Sequence, residues 1–160
     1  MKKLRNRILG ILSVFILSIS FATSVMADTL EKSIIDGSQL SQEKVSTVSI
    51  DNIGRGNILN RGTASVGDNG NGTANVYGAV IGSVVCDKMI LELTLQRYSN
   101  GAWVNVKSFS DTAYNTSLLT KSYNVKVTKG YYYRVKAACI AQKNGVSESR
   151  MPVTNGVLVD

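Results

Sequence analysis

The sequence holds no histidine in its 160 residues, which removes the commonest general base and the commonest transition-metal ligand together. Ser-His-Asp and Cys-His mechanisms have no base to run on. Eleven carboxylates remain, dispersed along the chain, and glycoside hydrolysis needs two of them facing each other across a cleft. Glu92 and Asp111 are the two acids in predicted core strands that could approach one another. Isolated as they are, they read as solvated sheet residues. Asp68-Asn69-Gly70-Asn71-Gly72 is rich in oxygen, but Gly70 and Gly72 occupy the third and fifth places where a calcium loop of the EF-hand type needs ligands. It reads as a turn. No glycine-rich phosphate loop and no Cys-x-x-Cys pair occurs. No catalytic residue, no metal ligand and no cofactor is assigned from this pattern.

Cysteine and the aromatic residues carry what chemistry is left. Cys86 and Cys139 are the only cysteines, and an even count in a chain that begins with an export signal predicts a disulfide. Closing that loop would stabilise the fold by about 4 kcal/mol in the chain-entropy model. Two buried free thiols are the competing reading. Among the aromatics, Tyr98 and Trp103 flank Asn100-Gly101, the strongest short-range hairpin signal. A two-residue turn there sets Trp103 beside Tyr98, Asn105 beside Gln96, Lys107 beside Thr94 and Phe109 beside Glu92 on the solvent face. The Cys86–Cys139 bridge then aligns Tyr132 near Glu92. Two aromatic spots result, Trp103 with Tyr98 and Phe109 with Tyr132, about 20 Å apart along the strand. Between them lies a floor of Thr94, Gln96, Asn105 and Lys107. Such a surface suits an extended polar ligand, a glycan or a cell-surface polymer, stacking on rings at both ends. The plainer role of Tyr98 and Trp103 is to stabilise their hairpin, by up to about 1 kcal/mol.

The elements that must position these residues are strands. Lys129 to Cys139 opens on a glycine turn and alternates, with Tyr131, Tyr133, Val135, Ala137 and Cys139 on one face and Tyr132, Arg134 and Lys136 on the other. In Lys88 to Ser99 the odd members Met89, Leu91, Leu93 and Leu95 are apolar and face the core. With further strands near Gly62 to Val66, Thr73 to Ala79, Trp103 to Asp111, Lys121 to Thr128 and Met151 to Val159, about seven are expected and no sustained helical period. Cys86 has the wrong parity to share a face with Leu91, so a bulge or bend near Asp87 must intervene.

Residues 1–27 combine a basic head (Lys2, Lys3, Arg5, Arg7), an apolar run from Ile8 to Phe21 and a small-residue end at Val25-Met26-Ala27. That is the pattern of a secretory signal peptide, too short to span a bilayer comfortably. Removing it takes four basic residues and no acid, so the formal charge falls from +7 to +3. The remaining Lys and Arg are scattered singly, which excludes a nucleic-acid footprint. Residues 28–57 contain no aromatic and are rich in Ser, Gln and charge, so they read as a flexible arm, with Leu30, Ile34 and Ile35 offering one face of a short helix that stops at Gly37 and Val45 to Ile50 an edge strand. One domain, residues 58–160, follows.

Seven short strands in two packed sheets is the immunoglobulin-like plan. Tyr131 to Ala137, Y-Y-Y-R-V-K-A, is similar to the sixth strand of a fibronectin type III domain, and Glu148-Ser149 to that fold's closing loop. More closely, Asp111-Thr112-Ala113-Tyr114-Asn115, Lys121-Ser122-Tyr123, Lys129 to Val135 and Thr154-Asn155-Gly156 resemble a family of small exported proteins of Gram-positive bacteria catalogued as domain of unknown function 6147. The resemblance covers roughly Gly54 to Asp160. It implies export and an all-β sandwich, and carries no activity or functional residue with it. The expectation is a secreted, non-enzymatic binding module with no membrane insertion after signal cleavage, free or loosely held at the cell wall. A secreted bacteriocin-like antagonist and a hydrolase are the alternatives.

Overall fold

The chain has one proline, Pro152, and its β-branched and aromatic runs are broken only by Gly and Asn, so strands can run long. A computed structural model describes residues 39–52 and 58–160, and these form strands and no helix. The strands are β1 (Leu40–Ser41), β2 (Val45–Asp51), β3 (Leu59–Asp68), β4 (Thr73–Ser99), β5 (Ala102–Lys126), β6 (Tyr131–Lys143), β7 (Val146–Arg150) and β8 (Gly156–Val159). They make one sheet in the order β1-β8-β6-β4-β3-β2, with β5 on β4 and β7 on β6. The pairings are antiparallel except for β1 with β8, which is parallel.

The all-β expectation holds, with eight strands where about seven were expected. The division differs. Thr73 to Ala79 and Lys88 to Ser99 are parts of the single strand β4, and Trp103 to Asp111 and Lys121 to Thr128 fall largely within β5. The first part of β4 pairs with β3 and the second with β6, while β5 accompanies both. The sheet is thereby folded over on itself around one core. Ala74, Val76 and Val80 are buried in the first part, and Met89, Leu91, Leu93 and Leu95 in the second. Even positions face inward before the bend and odd ones after it. The register supplies the reason: between the pairs Ile81 with Leu118 and Cys86 with Thr116, β4 advances five residues against two on β5. An odd excess inverts the face that meets the core. Gly82 sits in that segment because a Cβ there would lie 2.7 Å from the Val84 carbonyl oxygen and 2.8 Å from Met89 Cε.

Asn100 and Gly101 both have positive φ, 51° and 79°, as the two-residue hairpin requires. Asn144 and Gly145 (49° and 77°) repeat the device between β6 and β7. The Asp68 to Gly72 loop is a turn, with Gly70 N–H donating to Asp68 Oδ1 at 2.8 Å.

Two expectations are corrected. Within the arm assigned to residues 28–57, the edge strand at Val45 to Ile50 is present as β2 (Val45–Asp51) on β3, and Leu40–Ser41 adds β1 on β8, so this part is built into the sheet and is not a free arm. Hydroxyl pairs Thr47 with Ser65 (2.7 Å) and Ser49 with Thr63 (2.9 Å) line the β2–β3 seam, and Val48 is buried. The rest of the arm, apart from 39–52, and the whole signal peptide lie outside the described residues. The Cys86–Cys139 disulfide is also replaced: both cysteines are buried free thiols. Cys139 pairs with Leu91, five residues along β4 from Cys86, on the order of 15 Å of extended chain and beyond the reach of a bridge. Cys139 Sγ contacts the Ala79 carbonyl oxygen at 3.4 Å, and Cys86 Sγ that of Val84 at 3.4 Å. Burial pushes both thiols up, Cys139 to about 12. Both thiols are expected to stay silent toward an alkylating reagent in the native protein and to react on unfolding. Mass spectrometry checks this, and a native mass consistent with a bridge would contradict it.

The two parts of β5 turn inward faces toward each other. Phe109 stacks on Tyr123 with ring centroids 3.9 Å apart, and Lys121 pairs with Asp111 at 3.2 Å. The Tyr123 hydroxyl donates to Asp111 Oδ2. That bond to a carboxylate, with burial and the Asp111 charge adding to it, pushes Tyr123 up to about 12 from 10.0. A phenol raised in the folded state contributes stability that is complete below 10 and lost as pH rises through 12, because the unfolded chain releases its proton first. Cys139 adds the same sign from 9.0 upward. Denaturation at successive pH values between about 8 and 11 is expected to show falling stability, and Tyr123→Phe to flatten the part above about 10. An unchanged slope in that variant would refute the assignment.

Candidate functional site

The parity that buries Leu91, Leu93 and Leu95 sends Glu92, Thr94 and Gln96 to the opposite face of β4. On β6 the same rule turns half-buried Tyr132 and Arg134 and exposed Lys136 outward, against buried Tyr133, Val135 and Ala137. β5 completes the surface, with Trp103 paired to Tyr98, Asn105 to Gln96 and Ser108 to Thr94. A chain of side-chain hydrogen bonds crosses the three strands. Arg134 Nε donates to Gln96 Oε1 at 2.8 Å, and Gln96 Nε2 donates to Asn105 Oδ1 at 2.8 Å. Thr94 and Ser108 hydroxyls meet at 3.2 Å.

The aromatic end is closely built. Trp103 and Tyr98 rings are 5.1 Å apart and tilted by 57°, and the Arg134 guanidinium lies 4.3 Å over the Trp103 ring. The far edge of the indole reaches Gly156, where a Cβ would sit 2.7 Å from Trp103 Cη2 and 3.1 Å from Leu40 Cδ2. Tyr132 accepts a hydrogen bond from Gln42 Nε2 at 2.9 Å. Beyond this end an open groove of about 290 Å³ runs over Glu92, Thr94, Gln96, Asn105, Lys136 and Met151, floored by Ala137 and Ala138. A second, of about 340 Å³, continues over Glu92, Thr94, Ser108 and Ser110 with Phe109 at its margin.

Of the six residues expected to bind, Tyr98, Trp103, Gln96 and Asn105 stand together as the hairpin turn dictated. Phe109 does not join them. A register shift between Leu95 and Gln96 leaves Val106 as an extra residue on β5, so Phe109 pairs with Leu93 and Lys107 with Leu95, on the core side. Tyr132 is on the outer face but at the other end. Arg97 pairs with Tyr133, which brings Tyr132 alongside Tyr98 and away from Glu92. The register inferred from a bridge falls with the bridge. One aromatic cluster therefore replaces two spots, with a polar groove leading from it. Arg134, Lys136 and Met151 were not anticipated. The outward parity of Arg134 and Lys136 was readable, whereas their neighbours depend on the β4–β6 register.

The same parity separates the two acids weighed for hydrolysis. Asp111 pairs with Leu91 and Glu92 with Ser110, so they lie on opposite faces of the sheet, and Asp111 is engaged by Lys121 and Tyr123. Among the described residues no helix is long and apolar enough to cross a membrane.

Comparison with known proteins adds a family and a distant fold likeness. A family model described as "Family of unknown function (DUF6147)" matches residues 32–157. No curated protein matches the chain. Among solved structures, the sporulation control protein Spo0M from Bacillus subtilis aligns with a TM-score of 0.36 and 12% identity, over 74% of this chain and 51% of that one. The chain thus spans about half of Spo0M, and a likeness at that level carries no argument about what this chain does.

Proposed function

We propose, for a chain that belongs to the DUF6147 family of unknown function, an exported, non-enzymatic β module that holds an extended polar polymer, a cell-wall or environmental glycan, along the outer face of β5, β4 and β6. The observation that carries the reading is the groove itself. Its walls are hydroxyls and amides already oriented by one another, Thr94 with Ser108 and Gln96 with Asn105, and it starts from an aromatic cluster. Ligand sites of this kind join apolar contact area to a few fixed polar groups. The side chains of Glu92 and Lys136 make no hydrogen bond or ion pair among the described residues, so both charges are available to a ligand. Export is inferred from the basic, apolar and small-residue segments of residues 1–27.

Trp103 is the only tryptophan, so its fluorescence reports on this end of the groove alone. Titrating the chain without residues 1–27 with purified cell-wall polysaccharide is expected to change that emission saturably. Asn105→Ala and Gln96→Ala should each weaken binding by about two- to tenfold, the worth of one neutral hydrogen bond, while leaving the fold intact. No saturable response across a panel of glycans would refute the reading.

A further inference from the structure

On the opposite face of the same strands, near the same hairpin end, lies a concavity distinct from the outer groove, and it is organised by an arginine in an apolar register. Arg97 follows Leu91, Leu93 and Leu95 on the core-facing side of β4 and pairs with buried Tyr133. It ends that row at the mouth of the folded sheet, lining an open cavity of about 330 Å³ with Val106, Lys126, Val127, Thr128 and Tyr133.

The guanidinium is held but not neutralised. Its Cζ lies 4.7 Å from the centroid of the Tyr131 ring, a cation–π contact that fixes the plane of the fork. Burial raises the Tyr133 hydroxyl and Arg97 lowers it again, which sets the guanidinium beside that oxygen. The hydroxyl gives its own proton to the Thr128 carbonyl oxygen at 2.8 Å. Arg97 Nε is buried and has no hydrogen-bond partner, and Arg97 forms no ion pair among the described residues. An arginine on a core-facing row ordinarily has a carboxylate facing it, because a charge drawn even partly out of water without a counter-ion is costly, and Arg97 is half-buried. Here the remaining cation at the cavity, Lys126, adds positive charge, and its Nζ is turned to the Asn71 carbonyl oxygen at 3.2 Å. A water could satisfy one N–H, but not the charge.

We propose that Arg97 is an oxyanion-binding residue, and that this cavity takes a carboxylate or phosphate group presented from solution on the guanidinium fork. Planar, two-pronged recognition of such oxygens is what distinguishes arginine from lysine. The site does not share a residue with the outer groove, so it stands or falls independently of glycan binding.

The Arg97 Nε–H resonance in a ¹⁵N-labelled full chain without residues 1–27 is the direct probe. Sodium phosphate and sodium acetate are titrated separately at constant ionic strength, with sodium chloride as the third arm. Saturable movement of that resonance with phosphate or acetate, absent with chloride, is the expected result. Phosphate alone identifies a phosphoryl group, and acetate alone a carboxylate. Arg97→Lys, which keeps the charge and loses the fork, should weaken the interaction at least about fivefold as read from backbone amides of Val127 and Thr128, and Arg97→Gln should abolish it. Equal shifts in all three salts, or no saturable shift in any, would overturn the proposal. So would undiminished binding in a folded Arg97→Gln protein.

Discussion

Leu93→Ala is expected to lower the unfolding free energy by about 2–5 kcal/mol, with a fall in Tm of roughly 10 °C or more. Leu93 is fully buried at the place where the two parts of β4 face each other across the core. A Cβ added to Gly78, in the first part, would come within 2.5 Å of Leu93 Cδ2 and 3.0 Å of Leu91 Cδ1, in the second. The leucine fills the space that the glycine leaves. Gly78→Ala alone should therefore overpack the core at about 1–3 kcal/mol. In the double variant the new methyl occupies part of the cavity made by the lost isobutyl group, and the combined loss should be smaller than the sum by about 1 kcal/mol or more. Denaturant titration of the four proteins measures the coupling. Strict additivity would mean that the two parts of β4 do not meet at this point, and the folded-over sheet would be wrong.

Glu148→Ala is expected to cost about 2–4 kcal/mol, the largest effect for a side chain that is not apolar. The Glu148 carboxylate on β7 accepts the backbone N–H of Leu59 at 2.9 Å and of Ile58 at 3.3 Å, and Asn52 Nδ2 at 3.3 Å. Arg150 Nη2 donates to Asn52 Oδ1 beside it. Leu59 is fully buried and Ile58 nearly so, so their N–H groups, left without an acceptor, bear the desolvation penalty that makes one missing partner worse than the bond itself was good. Denaturant titration measures the loss. A Glu148→Ala protein with unchanged stability would remove this carboxylate from its assigned role.

What was legible in the sequence was whatever depended on local alternation. Met89 to Leu95 and Tyr133 to Cys139 announced their inward faces, because a slip by one residue would expose every leucine. Tyr98 met Trp103 because Asn100-Gly101 admits few geometries. Asn144-Gly145 carries the same signal, yet β7 at Val146–Arg150 was not among the expected strands. Phe109 and Lys107 were misplaced by a single extra residue at Val106, a feature set by how β5 curves against β4. β2 was legible only as an edge strand at Val45 to Ile50, because Ser46 to Ser49 is poor in apolar residues and is held by hydroxyls and backbone on β3, and β1, two residues long, was not legible at all. Cysteine parity pointed to a bridge, yet it says nothing of distance, and the long β4 carries Cys86 away from Cys139. Arg134 over Trp103 required the β4–β6 register, which no short segment contains.

The long β4–β5 hairpin also sets an order of events in time. Its pairing runs from Ser99 with Ala102, next to the turn, out to Thr73 with Lys126, so each new pair closes only a short additional loop and the hairpin can zip from Asn100-Gly101 within microseconds. The parallel union of Leu40 with Gly156 joins residues from the two ends of the described chain. It must wait for everything between them, and it gives the domain the slow, high-contact-order folding of sheet proteins. Synthesis runs from the amino end, so β1 is the first of these strands to be made and the last to be secured. For that interval the edge of the Trp103 indole that meets Gly156 stands uncovered.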